Sequence, residues 1–171
     1  MTVQDASYPR PEPSAPIRLL AVDLGLKAGL AAFNSQGHLC WARSTHFGTV
    51  TRMKQALPSL LTPSLEVLVL EGDRQLASHW ERLAHKRSTR VLRVTPERWR
   101  SRLLAPRQRR TGRGAKEVAI SLAWQLFDDD QIHRPPTLRH DAAEAILIGL
   151  WAVLELRWRQ NPPAFVSGQT G

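Results

Sequence analysis

The chain has 171 residues and a mass of 19.3 kDa, the size of one ordinary domain. Apolar residues make up 42% of it, so it can build a core, yet no apolar run reaches the roughly 18 residues of a membrane span. A single cysteine excludes a disulfide framework and a cysteine-based zinc site, and a net charge of +9 indicates a polyanionic partner.

The termini are expected to be tails around one ordered domain. Residues 1–16 contain four prolines and little apolar content, which predicts a disordered segment. They also lack the basic and then apolar order of a secretory signal, so we expect a protein of a reducing, cytoplasmic compartment. The ordered domain is predicted over 17–160 and a flexible tail over 161–171.

The first half of the domain predicts four strands and one helix. The run 17–23 is apolar, short and followed by a turn signal, which favours a buried strand over a helix. An Asn-Ser-Gln-Gly turn then joins two further strands as a hairpin. We expect these strands at 29–33 and 38–45, a helix at 50–61, and a fully buried strand at 65–71.

The second half alternates helices with one more strand. Thr95, Pro96 and Glu97 provide an N-cap, a first-turn proline and an early acid, which together predict a helix start. The expected elements are a helix at 74–88, a strand at 91–94, a helix from 95 to about 105, an exposed basic loop at 107–114, and helices at 115–127 and 139–159. This order predicts an α/β fold whose mixed five-stranded sheet is flanked by helices.

Positive charge is concentrated in one window, from Arg82 to Lys116. It contains thirteen basic residues and one acid, Glu97, so it carries +12 while the rest of the chain is net negative. A solvated helix face is the alternative explanation, but such faces usually mix both signs. The window therefore favours nucleic acid, whose phosphates suit the planar guanidinium group.

Four acids lie on or beside apolar elements, where acids are not usually found. Asp23 and Glu71 end the first and fourth predicted strands. Asp141 and Glu144, spaced i and i+3, share one side of the first turn of an apolar helix. Each has a plain alternative: Asp141 could favour the helix dipole, and the other two could be ordinary strand ends.

Taken together, these carboxylates indicate a metal site. Four converging acids would repel one another strongly unless a cation compensated them. Oxygen ligands without cysteine favour Mg²⁺ or Mn²⁺, and two such ions can activate a water and stabilise the leaving oxygen of a phosphodiester. Next to a basic window, this chemistry predicts a nuclease.

The same residues resemble a known family, the RuvC-like resolvases of the ribonuclease-H-like superfamily. Asp23 and Glu71 match its first two catalytic acids, and the segment 141–146 (DAAEAI) is similar to the DAADAL-type helix of RuvC Holliday-junction resolvases. The segment 94–100 (VTPERWR) is similar to the P-x-x-W-K/R segment of organellar and phage members, and 112–116 opens a helix as the family's basic segment does.

This resemblance implies a ribonuclease-H-like fold and a metal-dependent endonuclease that acts as a homodimer on four-way DNA junctions, in recombination and repair. It implies two Mg²⁺ or Mn²⁺ ions held by Asp23, Glu71, Asp141 and Glu144. The expected location is the cytoplasm, at the nucleoid, with an organelle as the alternative. Glu144 stands where aspartate is commoner, and the chain is short between Glu71 and the following strand, the region in which the family builds part of its dimer contact.

Further residues are candidates with open roles. Asp73 is a second possible metal ligand, His140 a metal neighbour or proton donor, and Lys116 a partner for the scissile phosphate or an ordinary solvated lysine. Trp99 could stack on a base, although core packing is the stronger alternative. The residues expected to bind nucleic acid are Arg98, Trp99, Arg100, Arg102, Arg107, Arg109, Arg110, Arg113 and Lys116.

Two other functions remain open at this stage. One is a ribonuclease-H-like enzyme that cuts structured RNA, against which the basic segment after Thr95 argues. The other is a non-catalytic nucleic-acid-binding module that keeps its acids for folding, in which case no divalent metal would bind.

Overall fold

A computed structural model describes residues 15–167, which form five strands and six helices. The strands are β1 (Leu19–Leu24), β2 (Lys27–Phe33), β3 (Leu39–His46), β4 (Val67–Gly72) and β5 (Arg90–Arg93). The helices are α1 (Val50–Leu60), α2 (Arg74–Lys86), α3 (Pro96–Leu103), α4 (Gly112–Asp129), α5 (His140–Glu155) and α6 (Ala164–Ser167). The predicted tail at 1–16 lies, except for its last two residues, outside the described part.

The strands form one mixed sheet in the order β3-β2-β1-β4-β5. β1, β2 and β3 pair antiparallel as a meander, whereas β1, β4 and β5 pair parallel. The parallel pairs need crossover connections, and α1 and α2 lie on these. The predicted α/β class, with an antiparallel start and parallel strands flanked by helices, is confirmed.

Each face of the sheet is covered by its own apolar core. Leu19, Ala21, Val67 and Val69 face the core that contains α3, α4 and α5, and the alternate residues of β1 and β4 face α1 and α2. Because side chains alternate along a strand, Asp23 and Glu71 fall on the face covered by α5. The fold therefore brings two strand-end acids to the side on which the apolar helix begins.

Two segments of the structure differ from the local expectations. The segment 107–114 is not a loop: Pro106–Arg109 forms a 3₁₀ turn and α4 already begins at Gly112, with Thr111 as its N-cap. Within the described part of the predicted tail at 161–171, α6 packs Val166 into the main core. The early start of α4 follows from this cap, because the Thr111 side chain accepts from the backbone N–H of Gly114. No helix among residues 15–167 is long and apolar enough to cross a membrane.

Candidate active site

The first two acids are neighbours across the parallel pair of central strands. In the register of β1 and β4, Asp23 stands opposite Glu71, and both strands end one residue later. The carboxyl ends of parallel strands open at the same edge of a sheet, where ligands of α/β proteins commonly bind. Glu71 is 9% exposed, so its carboxyl group is largely withdrawn from water.

The other two acids reach the same place because α5 begins directly on the sheet. Gly29 stands opposite Asp23 in β2, and a Cβ atom built on it would lie 1.8 Å from the carbonyl oxygen of Asp141. Only glycine permits this close approach of helix and strand. One helical turn later, Glu144 is 9% exposed and forms a side-chain hydrogen bond with Asp23.

The convergence of these groups perturbs their ionisation. Burial and, after it, the nearby charges of Glu144, Glu71 and Asp141 together raise the pKa of Asp23 to about 8. Burial also raises the pKa of Glu71, as does Glu144, whereas Arg100 acts in the opposite direction. Holding these carboxyl groups together thus costs folding free energy, and packing alone does not require it.

Two side chains already contact the acids. The Nη2 atom of Arg100 lies 2.9 Å from Oε1 of Glu144, a pair whose side chains are 25% and 11% exposed. Ser44, on β3, donates a hydrogen bond to Oδ1 of Asp141, which also accepts from the backbone N–H of Ala142. These contacts fix the orientation of two carboxyl groups from outside the cluster.

A cavity of about 290 Å³ opens beside the acids, and its rim is basic. Asp23, Asp141 and Glu144 line it together with three groups that suit a phosphate, namely Lys116, Arg139 and His140. All three of these rim residues are exposed. Sequence reasoning had singled out Lys116 and His140 but missed Arg139, although its position directly before His140 and Asp141 was an available signal. It also missed Ser44, for which the sequence offered none.

Asp73 and Trp99 are occupied elsewhere. Asp73 caps α2, accepting a hydrogen bond of 2.9 Å from the backbone N–H of Leu76, so its place is explained without a metal. Trp99 is 0% exposed in the core, so the suggestion that it stacks on a base is wrong. Its apolar ring anchors α3, while Arg98 and Arg102 on the same helix stay exposed.

The structure divides the basic window into two surfaces. Arg82 and Lys86 lie near the end of α2, and with Arg90 they line a cavity of about 670 Å³ at the amino ends of the parallel strands. The acids lie at the opposite, carboxyl ends. On the side of the acids, Arg93 lines a cavity together with Glu71, and Lys116 lines the cavity beside Asp23. The exposed basic residues of the window from α3 onward are Arg98, Arg102, Arg107, Arg109, Arg110, Arg113 and Lys116.

The donor set at this site fits a hard divalent cation. The available donors are carboxylate oxygens, and the raised pKa of Asp23 reflects the repulsion among neighbouring carboxylates that a cation would relieve. Among residues 15–167, no three or more His, Cys, Asp or Glu side chains stand in a ready-made metal-binding arrangement. Glu144 instead contacts Arg100 and Asp23, so these two contacts must rearrange before Glu144 binds a cation.

The architecture is similar to solved RuvC structures. A structure described as T. thermophilus RuvC in complex with Holliday junction substrate matches 83% of this chain and 96% of its own, with a TM-score of 0.59 and 16% identity. A second Thermus thermophilus RuvC structure matches 81% and 95%, with a TM-score of 0.59 and 14% identity. No protein-family model and no curated protein sequence matches this chain. The chain thus has the ribonuclease-H-like fold of RuvC.

Proposed function

We propose that this protein is a metal-dependent endonuclease that cuts branched DNA, with the four-way junction as its principal substrate. The observation that carries this proposal is the gathering of Asp23, Glu71, Asp141 and Glu144 at one edge of the sheet, where burial and mutual repulsion raise the pKa of Asp23. The fold and the junction named in the description of one similar structure support the choice of substrate.

Each group at the site has a distinct task in this proposal. The four carboxylates hold one or two Mg²⁺ or Mn²⁺ ions, which when bound supply an activated water and stabilise the leaving oxygen of a phosphodiester. Lys116 and Arg139, on the rim of the cavity, bind the phosphate that is cut and orient it toward the acids. Ser44 holds Asp141 in position through its hydrogen bond.

A symmetrical cut requires two copies of this site. A four-way junction offers two equivalent strands, and a two-fold dimer would present one acid cluster to each. We therefore propose a homodimer as the active form. The exposed basic residues from Arg98 to Lys116 would bind the backbone of the junction arms, and this binding weakens with salt.

The decisive comparison uses three substrates at one salt concentration. A mobile synthetic four-way junction, a linear duplex and a structured RNA are incubated with Mg²⁺, and the nicks are mapped on every strand. We expect paired nicks on opposite strands of the junction, and no cleavage by Asp23→Asn despite normal junction binding. Preferential cleavage of the RNA would assign the site to an RNA nuclease, and binding without cleavage to a non-catalytic module.

A further inference from the structure

Arg100 belongs to the basic window, yet its guanidinium contacts an acid. Its Nη2 lies 2.9 Å from Oε1 of Glu144, and its presence lowers the pKa of Glu71. Arg100 thus contacts one of the four carboxylates and acts electrostatically on a second. Arg98 and Arg102, two residues to either side on α3, are exposed and ready for the DNA backbone.

We propose that Arg100 is a phosphate-binding residue that Glu144 holds while the acid cluster lacks a cation, and that binding of a cation by Glu144 releases Arg100 to the DNA backbone. The inference rests on the proposed function, since it assigns Glu144 to a metal site. It adds that binding of a cation by the acid cluster controls the contact between Arg100 and the DNA.

The two partners of Glu144, a divalent cation and the Arg100 guanidinium, carry charges of the same sign. A divalent cation on the carboxylate of Glu144 would stand within a few ångströms of the guanidinium, where two positive charges in a partly buried site repel strongly. Glu144 is 11% exposed at its side chain, so water screens this repulsion little. The cation and Arg100 therefore compete for the same carboxylate.

The guanidinium of Arg100 can change partners while the backbone of α3 stays in place. Trp99, its neighbour in the chain, is fully buried and fixes the backbone of α3, while the guanidinium of Arg100 lies 5.1 Å from the centre of the indole ring. The buried Nε of Arg100 donates to no acceptor among residues 15–167. A phosphate would accept from this unused donor, because a guanidinium binds phosphate through two parallel N–H groups.

The test compares two charge-matched variants without metal. Glu144→Gln and Glu71→Gln each replace the carboxyl group of a residue that is 9% exposed by a neutral amide, but only the first removes the charge that pairs with Arg100. Binding to a fluorescent four-way junction is measured by anisotropy in EDTA over a series of salt concentrations. We expect Glu144→Gln to bind about 10-fold more tightly than Glu71→Gln, with a log–log salt slope steeper by about 0.9.

The same measurement in the Arg100→Gln background identifies the source of the gain. The difference between the two glutamine variants should vanish there. Arg100→Gln alone should change metal-free affinity less than 2-fold, whereas Arg102→Gln on the same helix should weaken it several-fold. Circular dichroism and thermal unfolding verify that every variant is folded.

Three results would overturn the inference: equal affinities of the two glutamine variants, a difference that persists without Arg100, or a large loss for Arg100→Gln in EDTA. The last would mean that Arg100 already contacts phosphate in the absence of metal. If the wild-type chain fails to bind the junction at all, the proposed function itself fails. The two failures are therefore distinguishable.

Discussion

Gly29 is the position at which a single methyl group should separate the four acids. It stands opposite Asp23 in the sheet, and the first turn of α5 rests directly on it. In Gly29→Ala, the new Cβ would meet the carbonyl oxygen of Asp141 at 1.8 Å, its carbonyl carbon at 2.2 Å and the backbone nitrogen of Ala142 at 2.8 Å. All three atoms belong to the backbone, so no side-chain rotation relieves the clash.

The size of the effect follows from these distances. Ordinary van der Waals contact begins at 3.4 Å, so α5 must retreat from β2 by about 1.6 Å. Overpacking of this kind costs about 1–3 kcal/mol of folding free energy. A displacement of about 1 Å at a catalytic group can cost on the order of 100-fold in rate, and here both Asp141 and Glu144 move away from Asp23.

The assay measures junction cleavage and thermal unfolding together, with Gly112→Ala as the control. Gly112 begins α4, and a Cβ atom there would meet nothing within 4 Å. We expect Gly29→Ala to remain folded with a lower Tm and to lose at least about 100-fold in cleavage rate, whereas Gly112→Ala keeps its Tm. Full cleavage by Gly29→Ala would refute the argument that the contact between β2 and α5 assembles the acids.

Three further predictions test electrostatics and packing. Folding of the metal-free chain takes up a proton at Asp23, because its pKa rises from 3.8 to about 8. The stability of the fold therefore falls as pH rises through this range. Asp23→Asn should raise Tm at pH 9, and this gain should shrink toward pH 5. Arg159→Met leaves the buried Asp130 unpaired and should cost about 3–5 kcal/mol in urea unfolding, whereas exposed Arg113→Met should cost under about 1 kcal/mol. Trp99→Ala should cost about 3–5 kcal/mol by the same measurement.

Each of these has an outcome that contradicts it. Parallel pH profiles of Tm for Asp23→Asn and wild type would show that Asp23 ionises normally in the fold. Equal costs for Arg159→Met and Arg113→Met would show that burial adds nothing to the first pair. A stable Trp99→Ala protein with weakened junction binding would show that Trp99 contributes to DNA binding and not to the core.

The sequence predicted the sheet and the strand-end acids well because these depend on short-range patterns. Apolar runs of strand length around Asp23 and Glu71, and the i, i+3 spacing of Asp141 and Glu144, place each acid on an element without reference to the rest of the chain. That these elements meet at one edge follows from parallel pairing, which the alternation of helices and strands already favoured.

The contacts that the sequence missed join residues far apart in the chain. Nothing near Ser44 in the sequence indicates that it donates to Asp141. Likewise, nothing in the run of three aspartates at 128–130 distinguishes Asp130 from the other two. Asp130 is nevertheless buried, with Oδ2 accepting from the backbone N–H of Leu39 and Oδ1 2.8 Å from Nη1 of Arg159. Such pairs depend on the packed tertiary arrangement, which no local pattern encodes.

The charge of the basic window does not indicate on which surface each of its residues lies. Its residues are contiguous in sequence, but α2 runs back across the sheet, so Arg82 and Arg100 end on surfaces at opposite ends of the strands. Net charge predicted a polyanionic partner without indicating which arginines face the acids. The exposure of Arg98 and Arg102, and the burial of Trp99 between them, became visible only with the orientation of α3.

The most direct test of the account is a titration of the metal-free protein with Mn²⁺, followed by electron paramagnetic resonance. We expect saturable binding of one or two ions per chain, competed by Mg²⁺ and lost in the Asp23→Asn, Asp141→Asn double variant while that variant remains folded. Unsaturable binding by the wild-type chain, or unchanged binding by the double variant, would contradict the claim that these acids are gathered to hold a divalent cation.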